Sequence, residues 1–466
     1  MSRLILLLLI FPICAEGVQA QSAYKADFSD LKKWEGTYEY IGNSTLQIAA
    51  SPKDTMLYAL IGAARYKLRP FKKDIFLNGG NQEVEFLSDA KHISGYKVKD
   101  GQPDKLYKLL TNKVTFSDSI WYAKPLGYSY AYKAPVARKD GLPVGSLAGS
   151  DLDADLIHKM IDRIIDGTYP NIHSVLLIKD GKLILEEYFY EYHADKLHEL
   201  RSASKTFTSA LVGAAVSNGF IKSLDDKVLT YFPDYQFRNL TPQKEAITIK
   251  NMLTQQSGLA CNDYDSNSPG NETKIYRTAD WVKTILDLPM AGEPGDKADY
   301  CSGNTIVLGK IVEKSSKSSL YDFAGKYLFG PLGVKNFRWD FITDQQHQDD
   351  FGQVYLKPRD MAKLCLLYLN GGNWKGTQIL PKQYVAQSLM KHAVVDGIDY
   401  GYLWWRESLT ASGIRYDGMA AKGNGGQRIF IWPEQNMVAV VTGGNYNTQS
   451  PANKMLIECV LSGLKK

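Results

Sequence analysis

Cysteine and histidine are scarce in this 466-residue chain, which has five of the former and seven of the latter. One cysteine falls in an apolar N-terminal segment, which leaves Cys261, Cys301, Cys365 and Cys459. Four cysteines are too few to form a disulfide scaffold in a chain of this length, and the scattered histidines form no recognisable set of metal ligands. A zinc-protease pattern begins at His198-Glu199 but is broken, because position 202 is serine. We therefore expect no metal and no cofactor.

A strong charge imbalance and a long hydrophobic run are also missing. The net charge is only +5 and no basic run occurs, so the sequence predicts no nucleic-acid partner. The apolar run Leu4–Ile13, about ten residues, is too short to span a bilayer. It follows a basic residue and precedes Val18-Gln19-Ala20, which resembles an A-x-A cleavage site, so residues 1–20 are predicted to be a signal peptide. We expect cleavage near Ala20, export to the periplasm or the medium, and no membrane span.

Residues 24–133 contain short segments in which apolar and polar residues alternate. Gly36-Thr37-Tyr38-Glu39-Tyr40 and Glu83-Val84-Glu85-Phe86 are typical, and turn signals such as Asn78-Gly79 separate them. Because no long helical period occurs, this region is predicted to be a small antiparallel β domain, a compact barrel or a meander. Residues 134–151, with two prolines and three glycines, are predicted to be a linker.

Residues 152–466 mix helical and extended patterns. Asp180-Gly181 joins two apolar runs as a hairpin signal, and residues 433–436 form a second hairpin late in the chain. Residues 225–390 are mostly helices and loops. We expect an α+β fold in which both ends of the domain form one antiparallel sheet. Terminal helices would cover one face, and the mid-chain helices would pack beside the other.

A serine and a lysine three residues apart stand at the predicted start of a helix, in Arg201-Ser202-Ala203-Ser204-Lys205-Thr206-Phe207. At this spacing Ser202 and Lys205 are neighbours on one helix face. A lysine whose pKa is lowered by burial or nearby positive charge can take the serine proton, and a helix N-terminus suits a developing oxyanion. The alternative, an N-cap serine and a solvated lysine, stays open on this motif alone.

Two later segments carry chemistry that fits beside this pair. In Asp299-Tyr300-Cys301-Ser302, the phenol at a loop-to-helix junction can act as a general base near a lysine; the alternative is a surface tyrosine and a helix cap. In Gly423-Asn424-Gly425-Gly426-Gln427, the glycines allow a close approach at a strand start, where a backbone N–H can serve an oxyanion; the alternative is a flexible turn.

In their order along the chain, these segments resemble the serine β-lactamase/penicillin-binding-protein superfamily, whose signature includes Ser-x-x-Lys. The resemblance is greatest to the class C-like branch, which includes esterases, DD-peptidases and 6-aminohexanoate-dimer hydrolases. It covers about residues 138 to 462. Besides the nucleophile motif, the matching segments are Leu253-Thr254-Gln255-Gln256-Ser257-Gly258-Leu259, Tyr300-Cys301-Ser302 and Gly425-Gly426-Gln427.

The resemblance implies a β-lactamase/transpeptidase-like fold and acyl transfer from a small-molecule ester or amide, without a cofactor. It implies Ser202 as the nucleophile, with Lys205 and Tyr300 as acid/base groups. The backbone N–H groups of Ser202 and Gln427 would form the oxyanion hole. The candidate substrate-binding residues are Ser302, Asn424, Gly425, Gly426 and Tyr264.

Two departures from the family pattern bear on the substrate. Asn424-Gly425-Gly426 stands where lactam-handling members have Lys-Thr-Gly, and Ser302 replaces the more frequent asparagine. Both departures favour an esterase or amide hydrolase over a β-lactamase or DD-peptidase acting on cell-wall-type substrates, which remains an alternative. An alternative of another class is a non-catalytic binding or sensor protein on the same scaffold. No partner protein is predicted.

If this fold is right, Cys261 and Cys301 border the same cleft. The exported compartment allows oxidation, so we expect a disulfide that holds the Tyr300 loop against its neighbour. Two independent buried thiols are the open alternative.

Overall fold

A computed structural model describes residues 24–40, 44–62, 64–89, 92–99, 105–340 and 353–465. The predicted signal peptide lies outside the described residues. Among those that are described, we find no helix with both the length and the apolar character needed to cross a membrane.

The N-terminal region is a closed barrel of eight antiparallel strands, preceded by the short helix α1 (Phe28–Lys32). Each strand pairs with the next, and the last pairs with the first. The strands are β1 (Gly36–Glu39), β2 (Thr45–Ser51), β3 (Met56–Ile61), β4 (Ala64–Lys72), β5 (Ile75–Leu77), β6 (Glu83–Ser88), β7 (Ile93–Val98) and β8 (Tyr107–Thr111). The alternation seen in the sequence lets every second side chain face inward, and rings such as Tyr38, Phe76 and Phe86 fill the interior.

The C-terminal region is built on an eight-stranded antiparallel sheet with the order β10-β9-β21-β20-β19-β18-β17-β16. Its strands are β9 (Ile172–Lys179), β10 (Lys182–Tyr188), β16 (Ala393–Val395), β17 (Ile398–Tyr400), β18 (Trp405–Ala411), β19 (Ile414–Gly423), β20 (Gln427–Trp432) and β21 (Met437–Gly443). Two small sheets contain β11 (His198–Glu199), β12 (Arg338–Asp340), β13 (Gln353–Leu356), β14 (Asn373–Trp374) and β15 (Thr377–Gln378). The sheet joins early and late segments, as expected, because β9 pairs with β21.

The helices of this region are α2 (Ala154–Ile165), α3 (Ser204–Ser217), α4 (Pro242–Ala246), α5 (Ile249–Leu253), α6 (Glu272–Ile275), α7 (Trp281–Leu286), α8 (Ser302–Ser316), α9 (Leu320–Ala324), α10 (Pro358–Leu369), α11 (Lys382–Leu389) and α12 (Ala452–Met455). α2 packs with the turns that continue α12, and α10 packs on β9, β20 and β21. α3 contacts α8 and β19. The predicted α+β fold class with an all-β N-terminal region is confirmed.

A buried arginine attaches the segment between the two regions to the second region. Arg359, at the start of α10, is 3% exposed. Its guanidinium donates to Glu186 on β10 at 2.7 and 2.6 Å, to Asp140 at 2.9 Å and to the carbonyl of Val136 at 2.7 Å. These charge-assisted bonds fix the predicted linker in place.

Replacing Arg359 with methionine leaves two partly buried carboxylates without their cation. Because breaking a buried ion pair from one side costs about 3–5 kcal/mol, we expect Arg359→Met to lower the free energy of unfolding by that amount in urea denaturation. The control is Arg415→Met, which removes an exposed ion pair with Asp417 and should cost less than about 1 kcal/mol. Similar losses of unfolding free energy in the two variants would contradict the assignment of Arg359 to a buried ion-pair network.

Candidate active site

Ser202 lies on a sharp turn between a strand and a helix. The 3₁₀ turn Arg201–Ala203 follows β11, and α3 begins only at Ser204. Arg201 has a φ of +49°, in the left-handed region that non-glycine residues seldom occupy. The sequence placed this serine at the start of a helix. In the structure Ser202 lies in the turn just ahead of α3, where it is half-buried.

Lys205 reaches back from the first turn of α3 to the serine. Its Nζ donates to Oγ of Ser202 at 3.0 Å, so the two side chains are neighbours as the spacing predicted. The same Nζ lies 4.8 Å from the centroid of the Tyr300 ring, within the range of a cation–π contact. The structure therefore brings together the three residues to which the sequence assigned the chemistry.

Acidic groups near Lys205 oppose the effect of its burial. Burial acts most strongly and by itself would lower the pKa of the ammonium, but Tyr300, Glu272 and Asp263 together raise the pKa above its ordinary value. The surroundings of this lysine therefore shift its pKa in the direction that favours the ammonium.

Tyr300 is held between two other rings. The ring of Tyr264 stacks on it at 5.2 Å with an interplanar angle of 15°, and Trp405 lies 5.5 Å away on β18. Tyr300 is only 8% exposed, whereas Tyr264 is 61% exposed. Tyr264 therefore covers the Tyr300 phenol from the solvent side.

The carboxylates of Asp263 and Glu272 lie near Lys205, and the sequence analysis did not predict them. Glu272 begins α6, and its backbone N–H donates to Asp263 at 3.0 Å. Burial and the adjacent Glu272 raise the pKa of Asp263, while Lys205 and Ser302 oppose that shift. No local sequence pattern predicted this pair, because a loop brings the two residues together. The sequence feature that could have pointed to Asp263 is Cys261, two residues earlier, whose predicted disulfide partner follows Tyr300.

Ser302, a candidate substrate-binding residue, is buried and hydrogen-bonded within the protein. It is 4% exposed, its hydroxyl donates to Glu272 at 2.9 Å and its N–H donates to Asp263 at 2.6 Å. Both donors are therefore used within the protein. Ser302 instead ties the start of α8, and with it Tyr300, to the two carboxylates.

A disulfide joins Cys261 to Cys301, with Cα atoms 5.5 Å apart. The backbone N–H of Asp263 also donates to the carbonyl of Tyr300 at 2.8 Å. The disulfide and several hydrogen bonds thus hold the loop that carries Asp263 against the loop that carries Tyr300. This arrangement positions the phenol and the carboxylates around Lys205.

Gly423, the first residue of the glycine-rich segment, contacts the nucleophile turn, by which we mean the turn Arg201–Ala203 that carries Ser202. A Cβ atom placed on Gly423, the last residue of β19, would lie 2.1 Å from the carbonyl oxygen of Leu200 and 3.2 Å from the amide nitrogen of Ala203. Only glycine fits there. The end of β19 therefore lies directly against the turn that carries Ser202.

The other residues of this segment make a tight hairpin. Gly425 and Gly426 have φ of +95° and +93° and pack against the loop after β21. Asn424 is exposed and pairs with the side chain of Asn447 at 2.7 Å. Gln427 opens β20 opposite Gly423, and its side chain donates to the carbonyl of Gly443 at 2.9 Å.

The eight-stranded sheet and the serine–lysine–tyrosine arrangement are those expected of the β-lactamase fold. The beta-lactamase family model matches residues 165–459, and the chain belongs to that family. Protein flp of Staphylococcus aureus strain MW2 is 26% identical over 206 residues, which are 42% of this chain and 41% of that protein. The chain thus spans about two fifths of the length of the curated relatives that it matches.

Solved structures share the fold at low sequence identity. A putative 6-aminohexanoate-dimer hydrolase from Bacillus anthracis is 19% identical, with a TM-score of 0.53 over 71% of this chain and 86% of that one. A family VIII carboxylesterase is 15% identical, with a TM-score of 0.55 over 67% of this chain and 97% of that one. These likenesses support the fold.

The disulfide predicts a definite thiol count. In a chain that begins at Gln21, unfolding without reductant should expose two reactive thiols, Cys365 and Cys459, and reduction should raise the number to four. The bridge closes a loop of 40 residues, so replacing both of its cysteines with alanine should cost about 3–4 kcal/mol in urea denaturation. Four thiols before reduction would contradict the bridge.

Proposed function

We propose that this protein is an exported serine hydrolase that cleaves an ester or amide through an acyl-enzyme on Ser202. The observation that carries the proposal is the 3.0 Å contact between Oγ of Ser202 and Nζ of Lys205, with the Tyr300 ring against the same Nζ. A serine hydroxyl becomes a nucleophile when a neighbouring group accepts its proton, and this pair lies in the right place to do so.

The reaction runs in two proton-coupled halves. Ser202 Oγ attacks the substrate carbonyl carbon while its proton passes to the Lys205–Tyr300 pair, which must first have lost one proton. The tetrahedral intermediate collapses, and the pair returns the proton to the leaving alcohol or amine. Water then attacks the acyl-enzyme, gives a proton to the pair and releases the acid, after which Ser202 regains its proton. The pair titrates as a unit, so the base role belongs to both members.

The oxyanion requires two donors beside Ser202. One is the backbone N–H of Ser202 itself, ahead of α3, where helix N–H groups and the helix dipole favour negative charge. We assign the second donor to the end of β19, at Gly423–Asn424, because Gly423 packs against the nucleophile turn. This replaces the backbone of Gln427, the donor that the sequence suggested.

The charges around the site favour a substrate without a carboxylate. Lys422, the lysine nearest the glycine-rich segment, lies 3.3 Å from Glu407 and 4.3 Å from the centroid of the Trp405 ring. It is thus engaged within the protein rather than presented as a fixed charge. A neutral ester or amide fits this arrangement better than a β-lactam or a peptide terminus, which need such a charge.

Removing the nucleophile tests the proposal directly. Ser202→Ala should lower single-turnover hydrolysis of an activated ester by roughly a thousandfold or more, and a fluorophosphonate should leave an adduct on Ser202 of the wild type. Ser204→Ala, which changes the other serine of the motif, should keep both properties. Wild-type turnover in Ser202→Ala, with no adduct on Ser202, would contradict the proposal; a folded wild type that neither reacts nor hydrolyses would favour a binding protein.

The carboxylates behind Lys205 predict a shift in the pH profile. Glu272 is one of the groups that raise the pKa of Lys205, so Glu272→Gln should lower that pKa. The pair then loses its proton more easily, and the acidic limb of the kcat/KM profile should move to lower pH. Glu245→Gln, on the exposed face of α4, is the control and should leave the limb in place. A shift to higher pH in Glu272→Gln would overturn the assignment.

A further inference from the structure

An arginine of the N-terminal barrel contacts strand β9 in the C-terminal region. Arg65 lies on β4, and its guanidinium donates to the carbonyl of Ile120 and to Nε2 of His173 on β9, the latter at 3.1 Å. It also lies 4.8 Å from the centroid of the Tyr190 ring. One barrel side chain therefore contacts the central sheet of the other region by hydrogen bond and by cation–π contact.

A hydrogen-bond chain continues inward from this contact. Nδ1 of His173 lies 2.9 Å from Nε2 of His198 on β11, and Nδ1 of His198 lies 2.9 Å from the carbonyl oxygen of Glu199. Both imidazoles are buried, with exposed fractions of 0% and 1%. Tyr192 stacks on His173 at 4.1 Å, so the chain is enclosed by side chains.

The direction of this chain is determined at its two ends. A guanidinium only donates, so Nε2 of His173 accepts and Nδ1 of His173 carries the proton. That N–H donates to Nε2 of His198, which leaves Nδ1 of His198 to donate to the carbonyl of Glu199, a group that only accepts. Every donor then has an acceptor with both rings neutral, and no other arrangement of protons satisfies all three contacts.

The surroundings keep both rings neutral. Burial, opposed by the hydrogen bond to the Glu199 carbonyl and reinforced by Lys196, lowers the pKa of His198 to about 4. Burial, His198 and Arg65 likewise place the pKa of His173 well below its ordinary value. Both imidazoles are therefore uncharged near neutral pH, as the chain requires.

The chain ends on the segment that sets the position of Ser202. Glu199 pairs with Tyr355 of β13 through its backbone, and its carboxylate lies 2.8 Å from Nε of Arg201. Arg201, in its left-handed conformation, directly precedes Ser202. A displacement of the Glu199 carbonyl would rotate the next peptide units, and these carry the serine.

We propose that Arg65 is a positioning residue for the nucleophile, and that it acts from the barrel through His173 and His198 on the backbone of Glu199. The barrel is thereby a working part of the hydrolase rather than an independent module. This inference rests on the proposed function of Ser202. Without Arg65, His173 loses the donor that selects its tautomer. If the proton of His173 then moves to Nε2, the unprotonated Nδ1 of His173 faces the unprotonated Nε2 of His198. The resulting repulsion either separates the two rings or moves the proton of His198 to Nε2, and the unprotonated Nδ1 of His198 then faces the Glu199 carbonyl oxygen.

The experiment compares two substitutions of Arg65 with a control on the same strand. Arg65→Met removes the donor and Arg65→Lys retains one, whereas the control Arg69→Met removes an arginine whose guanidinium donates to Asn81 within the barrel. We expect Arg65→Met to lower kcat for an activated ester at least tenfold with KM within about twofold, Arg65→Lys to recover part of that loss, and Arg69→Met to match the wild type. Urea denaturation establishes that each variant is folded.

A second measurement tests the hydrogen-bond chain from Arg65 to Glu199 without an activity assay. In ¹⁵N spectra of histidine-labelled wild type at pH 7, His173 and His198 should both be neutral with the proton on Nδ1, and Arg65→Met should change the tautomer of His173. An Nε2–H tautomer or an imidazolium at either ring of the wild type would overturn the inference even if Arg65→Met does not fold. A folded Arg65→Met with wild-type kcat would also overturn it. Failure of wild-type Ser202 to react would instead count against the proposed function, while the tautomers still test the chain.

Discussion

The buried charge of Lys205 is the constraint on which the site depends. An ammonium removed from water needs negative or electron-rich partners, and here Tyr300, Asp263 and Glu272 supply them. Asp263, in a loop, and Glu272, at the start of α6, lie far in sequence from the lysine, so the segment that carries them must be held firmly. The Cys261–Cys301 disulfide and the contacts of Ser302 do this. Much of the architecture behind the nucleophile therefore follows from one charge.

The parts of the site that the sequence predicted are those encoded by local spacing. Ser202 and Lys205 are three residues apart, so a single helical turn brings them together, and Tyr300 stands at a helix start that is visible in the sequence. Asp263 and Glu272 were missed because their meeting depends on a loop whose path no periodicity describes. The direction of the Lys205 pKa shift could not be predicted from the motif, since it depends on Tyr300 and on those two carboxylates.

For the fold as well, the sequence predicted the features that depend on local patterns and missed those that depend on long-range contacts. Alternating strands and two-residue turn signals made the all-β first region and the antiparallel sheet predictable, because the period of two and the turn chemistry are local properties. Closure of the first region into an eight-stranded barrel depends on the pairing of β1 with β8, which neither strand announces. The glycine-rich segment was recognised, but which glycine meets the nucleophile turn depends on where β19 ends, and strand ends are poorly determined by composition.

The nucleophile turn is constrained from two sides, and this explains how an arginine is kept at a positive φ. On one side, Gly423 brings the backbone of β19 so close to Leu200 and Ala203 that no side chain fits between them. On the other side, β13 pairs with β11, and the histidine chain ends on the Glu199 carbonyl. A strained backbone persists only where its surroundings over-determine it. Because the barrel supplies the first donor of that hydrogen-bond chain, the strain next to Ser202 is maintained in part by a region outside the proposed serine–lysine–tyrosine site.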